Sequence, residues 1–506
     1  MTTILQNPIH PFIFALFFIF FLYVNNIEEI IPTALIFPIG VSISIIGGVL
    51  ILGFVLRKNH KKIAIFVSIV VLLFFTYGHV FLLFDSLDLG IDFRHRYLLI
   101  VYGVIFFVSL FLLKSKINSK TFTPVLNAAS FALLFSVVIN IPYSGFSDNT
   151  EIQFSDEASL VFTNEYRPDI YYIILDEYAG RETLKNYFEF DNSDFIAYLE
   201  SNGFYVMSDS RSNYVQTSYA APSAMDMQYV QESTKYSNPR DINLVVDNSY
   251  QKNNVMKFLN QNGYKTIYIY GGILEEIEVA DENMCAENVI TDFHTMLSQT
   301  TMLWVYQKYQ FVNDINQIRF CSFDALEQIE RKYDEPVFVF AHIKLPHDPF
   351  TLSSTGQTLT PEKIDLGMGS AGNKAGYIQQ LEFSNKKITE LIPKILDDTA
   401  PPIIIIQSDH GVRFDLDSIS YNLDEYSVAD EQIIFRSFNN FSAFYFPDET
   451  YDAIYDEITP VNTFRMLFNK LFNTELEILD DRMYLEYYDD KGIQRFNDVT
   501  NIVSLP

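Results

Sequence analysis

Three short stretches of this 506-residue chain end in side chains able to hold a divalent cation or a phosphoryl group. IYYIILDEYAG carries Asp176 and Glu177, VFVFAHIKLPHDPF carries His342 and His347, and PIIIIQSDHGVRF carries Asp409 and His410. A fourth stretch, SNYVQTSYAAPSAM, is rich in hydroxyls around Thr217 and Ser218. Carboxylate and imidazole together suit a divalent cation such as zinc or manganese. A cation beside a hydroxyl lowers its pKa and makes a weak nucleophile effective. It also neutralises charge that builds on a phosphoryl oxygen during transfer. Each residue has a plainer reading as well. An Asp after a strand often caps the next helix, and an Asp-His pair often makes a turn. His342 fits a hydrogen-bonded strand-end histidine, and Thr217 an ordinary loop threonine. Their common placement directly after apolar runs is what capping does not explain.

Those runs define the elements that position the side chains. IYYIIL (170–175), TIYIY (266–270), VFVFAHI (337–343) and PIIIIQS (402–408) are β-branched, aromatic and nearly continuous, as strands buried on both faces require. Amphipathic helical patterns at 193–202, 252–262 and 377–396 alternate with them. Such alternation predicts an α/β domain with a mainly parallel central sheet. Ligands of open α/β sheets collect beyond the carboxyl ends of the strands, where Asp176, His347, Asp409 and His410 fall, with His342 at the penultimate position of its run. No internal repeat and no low-complexity tract is visible.

The amino-terminal part is a different material. Residues 1–145 carry nine Lys or Arg and five Asp or Glu; the chain as a whole has a net charge of −28, which leaves −32 for residues 146–506. So acidic a second half argues against nucleic acid, which needs clustered cations. Five apolar stretches lie at about 11–25, 33–56, 63–84, 97–113 and 125–143. A helix crosses the hydrocarbon core with about 20 apolar residues, and a signal peptide would show one such stretch, not five. The loop after the second stretch holds Arg57, Lys58, Lys61 and Lys62, and the loop after the fourth holds Lys114, Lys116 and Lys120. The alternate loops hold Glu28, Glu29, Asp85, Asp88, Asp92, Arg94 and Arg96. By the positive-inside bias the cation-rich side is cytoplasmic. An odd number of spans then puts the acidic half outside, at a multi-pass cell membrane. The organisation expected is a transmembrane domain at 1–145, a linker at 146–168 and an extracytoplasmic catalytic domain at 169–506. Cys285 and Cys321 are the only cysteines. They are too few for a four-thiolate zinc site, and either one disulfide or two free thiols suits them.

The acidic half resembles the sulfatase-type branch of the alkaline phosphatase superfamily. The plan of five spans followed by an outward domain resembles lipoteichoic acid synthase and the lipid A phosphoethanolamine transferases. In those families a carboxylate after the first strand, a threonine and a late Asp-His pair hold the metal. The resemblance therefore implies Asp176, Thr217, Asp409 and His410 as ligands of one divalent ion (Mn, Zn, Mg or Ca), with Thr217 also the nucleophile. TSYAAP resembles the transferases' threonine, small residues and proline, and HIKLPH resembles their paired histidines. His347 and His342 are thus implied in substrate binding, with Arg413 and Arg211 as candidate cations for the phosphoryl oxygens. ITPVNTFRMLFNKLF (458–472) looks like the carboxyl-terminal helix of sulfatase-like membrane proteins. Ala220-Ala221-Pro222 departs from the C/S-x-P-x-R pattern that sulfatases mature to formylglycine. No histidine follows His410, which favours one metal over two.

The function implied is transfer of a phospho-head group from a membrane lipid to a glycan or lipid acceptor through a phospho-threonine. A hydrolase of phosphate or sulfate esters and a non-catalytic assembly or sensor protein are the alternatives. The topology has its own test: a reporter fused after Pro506 is expected to be active only outside the cytoplasm, and cytoplasmic activity would refute the five-span arrangement.

Overall fold

The computed structural model describes residues 6–26, 32–56, 59–86, 95–114, 118–139, 167–233, 242–272, 276–285, 292–329, 333–359, 373–397, 401–419, 426–455, 457–488 and 494–503. Most of the expected linker at 146–168 and the charged loop residues Glu28, Glu29, Arg57, Lys58, Asp88, Asp92, Arg94 and Lys116 lie outside them. The chain forms two compact units. One comprises residues 1–143 with 290–311, the other 144–289 with 312–506.

The first unit contains five apolar helices: α1 (His10–Asn25), α2 (Ile36–Val55), α3 (His60–Ser86), α4 (His95–Lys114) and α5 (Ser119–Val138). Within them Ile36–Val55, His60–Phe84 and Ser119–Val138 are long and apolar enough to cross a membrane, while His10–Asn25 and His95–Phe111 are shorter. Phe37, Ile51, Phe54, Phe107 and Phe111 are exposed on these helices. In water that would be costly, but a lipid solvent makes it favourable. Some polar groups inside the unit are paired, as an apolar solvent favours: His10 Nδ1 lies 2.6 Å from Ser68 Oγ, and Asn127 Oδ1 accepts from His10 N.

The unexpected member of this unit is residues 290–311, which in sequence interrupt the acidic half. Helix Asp292–Thr300 buries Phe293 and Leu297 in the same apolar cluster as Phe14, Ile19, Val71 and Phe75. Phe293 meets Tyr23 edge-on, His294 meets Phe37, and Trp304 packs against Phe81 and His95. Met302 N donates to Phe74 O at 3.0 Å. Its contacts thus fall on the carboxyl-terminal ends of α1 and α3 and the amino-terminal ends of α2 and α4. Those ends adjoin the loops poor in cations. Gly78 of α3 permits the close approach, because a Cβ there would collide with the backbone of Gln299 and Thr300.

The second unit is built on a sheet. Its strands in chain order are β1 (Ile170–Leu175), β2 (Tyr205–Val206), β3 (Ser210–Arg211), β4 (Lys265–Ile269), β5 (Glu282–Met284), β6 (Val337–Ile343), β7 (Ile403–Gln407), β8 (Asn439–Asn440), β9 (Ser442–Tyr445), β10 (Tyr484–Tyr488) and β11 (Gln494–Asp498). Seven of them make one sheet in the order β2-β9-β7-β1-β6-β4-β5. β1 pairs in parallel with both β6 and β7, and β4 in parallel with β5 and β6; β9 and β2 close one edge antiparallel. The continuous apolar runs are explained by burial on both faces. Tyr171, Ile173 and Leu175 join Ile404 and Ile406 in one core cluster, while Ile170, Tyr172 and Ile174 join Phe338 and Phe340 in another. The four expected strands are present within one residue of their expected ends, and the helix expected at 377–396 spans Lys374–Leu396. The helix expected at 252–262 spans Asn254–Gln261, where Asn253 caps it by accepting from Met256 N, and a separate helix, Ile242–Gln251, precedes it. Cys285 and Cys321 are joined in a disulfide.

Overfilling a packed contact costs about 1–3 kcal/mol, which for a local opening is roughly a ten-fold rise in exchange. Gly78→Leu is therefore expected to raise amide hydrogen exchange across 292–303 by about that factor. Unaltered exchange there would show that the close contact at Gly78 does not hold the segment.

Candidate metal centre

The parallel ladder β7-β1-β6 decides which side chains meet. Ile174 is opposite both His342 and Gln407, so the residues just beyond those positions converge at one end of the sheet. Asp176, one residue past β1, has its N–H bonded to Ile343 O and its carbonyl to His347 N. Asp409 and His410 follow β7 in a turn fixed by Ser408, whose Oγ donates to His410 O and accepts from Tyr178 N. Thr217 is the first residue of helix Thr217–Asp226.

Asp176, Asp409 and His410 present ligand atoms within 4.8 Å of one another, and all three are buried. His410 Nε2 stands 3.6 Å from Asp176 Oδ1 and 3.5 Å from Asp409 Oδ2. Thr217 Oγ1 donates to Asp409 Oδ2 at 2.7 Å and lies 3.3 Å from His410 Nε2. Donors bound at about 2.0–2.2 Å around one ion stand roughly 3–3.5 Å apart, so these separations suit a single cation. His410 Nδ1 lies 2.8 Å from Gly411 O, which fixes the tautomer that leaves Nε2 free as a ligand. Ser218 is exposed, whereas Thr217 is buried at the cluster.

A separate observation tests the fit. Both oxygens of Asp176 and both ring nitrogens of His342 are buried without a hydrogen-bond partner. His342 Nε2 lies 3.7 Å from Asp176 Oδ2 and 3.9 Å from Asp409 Oδ2, beyond hydrogen-bond reach. Two buried carboxylates, at 0–2 % exposure, one of them with both oxygens orphaned, are what a resident cation would satisfy. The centre accordingly fits one divalent metal ion held by Asp176, Thr217, Asp409 and His410. Among the described residues no other group of His, Cys, Asp and Glu has this geometry.

His347 stands beside the cluster, with its ring 6.4 Å from that of His410. Its Nε2 is 3.8 Å from Glu177 Oε2, and its Nδ1 lies 2.7 Å from Asp348 O. Burial alone would lower its pKa, but Asp176, Glu177 and Asp348 raise it to about 9. Burial would raise the Asp176 carboxyl, yet His347, His342 and His410 together hold it well below the usual carboxylate range. Arg413 donates its backbone N–H to Glu177 Oε1 at 2.9 Å, and its guanidinium helps lower Asp348, whose carboxyl burial opposes and His347 chiefly depresses to about 2. Arg211 is engaged elsewhere: it pairs with Asp209, donates to Ser210 O and Val503 O, and lies over the Phe435 ring.

Two residues support the centre in ways the sequence did not indicate. Glu177 has a φ of 61°, a left-handed backbone that a non-glycine residue adopts only when held. It is held by Asp409 Oδ1, which accepts from its N–H, by Tyr377, which donates to its carbonyl, and by Arg413 N. Arg319 is wholly buried and faces oxygens of neutral groups. It donates to the carbonyls of Lys344, His347 and Pro349, to Thr351 Oγ1 and to Gln380 Oε1, and so clamps the loop bearing His347. Nothing in its helical surroundings marks it, because its partners lie far away in sequence.

Asp409→Asn keeps the ligand's shape and removes its charge. Because changes to groups merely supporting a metal ligand cost about 10- to 100-fold in affinity, this variant is expected to lose at least about that much, read as metal per protein after purification. Retention of full metal content would make Asp409 a loop carboxylate only.

A sulfatase family model matches residues 169–466. No curated protein matches the chain. Among solved structures, the zinc complex of the carboxyl-terminal periplasmic domain of EptC from Escherichia coli is similar at 10 % identity and a TM-score of 0.43, covering 70 % of this chain and 96 % of that one. The soluble domain of lipooligosaccharide phosphoethanolamine transferase A from Neisseria meningitidis has 11 % identity and a TM-score of 0.38, over 60 % of this chain and 88 % of that one. BT1596, a 2-O GAG sulfatase, has 9 % identity and a TM-score of 0.40, over 66 % and 86 %. The family model covers more than half of the sequence and encloses every residue of the centre: this chain belongs to the sulfatase family.

Proposed function

We propose that this metal-dependent enzyme moves a phospho-head group from a membrane lipid to a glycan or lipid acceptor, with Thr217 as the covalent carrier. The observation that carries the reading is the Thr217 hydroxyl, 2.7 Å from Asp409 Oδ2 and 3.3 Å from His410 Nε2 in a cluster of buried ligands. The divalent ion would supply Lewis acidity, favouring the ionised hydroxyl and neutralising charge on the phosphoryl group. Thr217 Oγ1 attacks phosphorus, the bond between phosphorus and the lipid alcohol breaks, and that alcohol leaves with a proton. His347, standing beside the cluster with its Nε2 3.8 Å from Glu177 Oε2, is placed to steady a non-bridging oxygen. Arg413, bonded to Glu177 Oε1 through its backbone N–H, is the candidate cation. An acceptor hydroxyl then takes the group from Thr217 and regenerates its hydroxyl.

Ala220-Ala221-Pro222 supplies no formylglycine precursor, which counts against sulfate-ester hydrolysis by that route. The five apolar helices support a lipid donor over a soluble one. An extracytoplasmic site is supported by residues 290–311, an insertion in the acidic half, which pack at the helix ends opposite the cation-rich loops.

Thr217→Ala is expected to insert, fold and bind metal through Asp176, Asp409 and His410, yet form no adduct. Ser218→Ala is expected to retain most activity. Mass spectrometry after incubation with native membrane lipids reads both, and the adduct mass identifies the head group. An active Thr217→Ala protein, or an adduct on Ser218, would overturn the assignment.

A further inference from the structure

The sulfatase match ends at residue 466, but the residues that seat Thr217 continue past it. The hairpin of β10 and β11 carries Glu486, paired across the ladder with Phe496. Glu486 is 4 % exposed, and one of its carboxylate oxygens accepts from Val215 N at 3.2 Å and Gln216 N at 3.3 Å. These are the two amides immediately before Thr217. Gln216 is the cap of helix Thr217–Asp226 and makes no side-chain cap bond of its own. Glu486 thus satisfies the amide of the cap residue itself, the donor that a capping box also meets with a side-chain oxygen.

The same run is tied to the hairpin at other positions. Tyr484 N donates to Asn213 O at 2.9 Å, and Asn213 Nδ2 donates to Arg482 O at 2.9 Å. Val215 is packed with Met483, Leu485 and Val499, and the rings of Tyr214 and Tyr484 are stacked. The run 213–216 therefore lies along β10 by backbone, apolar and aromatic contacts. Glu486 is the one side chain among them that bonds the amides adjoining the nucleophile.

We propose that Glu486 is a positioning residue for Thr217: by accepting both amides it sets where the helix starts and therefore where Oγ1 stands relative to Asp409 and His410. This rests on the reading of Thr217 as the nucleophile. It assigns a task in the reaction to the hairpin beyond the family domain. A backbone shift of 1 Å at a reacting group can cost about 100-fold, so the effect belongs in binding of a transition-state mimic more than in folding.

Orthovanadate, which adopts the geometry of phosphoryl transfer when a hydroxyl attacks it, is the probe, with Mn(II) as the metal. Glu486→Asp keeps charge and burial but shortens the side chain by a methylene, so it no longer reaches both amides. Glu486→Gln keeps an acceptor oxygen at the same reach. The Asp variant is expected to bind vanadate about 10- to 100-fold more weakly, with a smaller loss of Mn(II) affinity because Asp176, Asp409 and His410 still hold the ion. Exchange at Val215 and Gln216 is expected to rise in the same protein, and the Gln variant to restore both readouts. The proposal is overturned if Glu486→Asp binds vanadate as the wild type does, if exchange at those amides stays the same, or if Mn(II) affinity falls in parallel. Thr217→Ala separates the two readings. Vanadate binding by Thr217→Ala equal to wild type removes the nucleophile and the proposal with it. Loss in Thr217→Ala without loss in Glu486→Asp removes the role of Glu486 alone.

Discussion

Asp176 and Asp409 are buried side by side at the carboxyl ends of adjacent parallel strands, and among the described residues no Lys or Arg forms an ion pair with either one. Taking a carboxylate out of water costs several kcal/mol even after relaxation. Imidazoles from His342, His347 and His410 surround the pair, yet Asp176 keeps both oxygens unbonded. The arrangement is stable only if positive charge enters, which a divalent cation does most directly. Most of the catalytic unit can be understood as holding these two like charges at a fixed separation. The ladder of β7, β1 and β6 brings the strand ends together, and covering both faces of the sheet with apolar clusters makes the register difficult to change.

Around the charged centre runs a layer of groups that orient without adding negative charge at the ligands. Ser408 links the turn at Asp409 to Tyr178, and Gly411 O fixes the His410 ring. Tyr377 bonds both Glu177 O and Ala179 N, which keeps Glu177 in its left-handed conformation. Arg319 brings a cation into the interior but spends its donors on oxygens of the loop around His347, so its charge is solvated by the protein itself. Burial lowers its pKa to about 9 in spite of Asp348 and Asp176. The outcome is a centre whose ligands have little freedom to rearrange, as electrostatic stabilisation of a transition state requires.

The two units answer to different solvents. The apolar helices leave Phe, Ile, Leu and Val exposed, and they pair polar groups such as His10 and Ser68 internally. The catalytic unit buries its apolar side chains in a two-faced sheet and carries the acidic surface. Residues 290–311 combine both kinds of behaviour. They depart from the second unit in sequence, but Phe293, Leu297 and Trp304 are packed with the membrane helices.

Periodicity and composition alone separated the chain into its apolar and acidic parts and located β1, β4, β6 and β7, because strands buried on both faces must be continuously apolar. The placement of Asp176, Asp409 and His410 beyond those strands followed from the same logic, since an open parallel sheet collects polar groups at one end. The threonine came from resemblance, and the exposure of Ser218 beside buried Thr217 is visible only in the fold. Other features were settled by contacts between residues far apart in sequence, which no local pattern encodes. Glu177 lies next to a visible ligand, but its left-handed φ depends on Tyr377 and Arg413. Arg319 and Glu486 look like ordinary charged residues of a helix and a hairpin until the chain brings His347 and Thr217 to them. Arg211, which in sequence looked as free as Arg413, is committed to Asp209 and the carboxyl-terminal Val503. The disulfide was equally open, since whether two cysteines meet depends on how helix Trp304–Gln328 returns to the edge of the sheet. The helix at 292–300 looked like part of the catalytic domain because it follows β5, and only its packing shows that its apolar face belongs with the membrane helices.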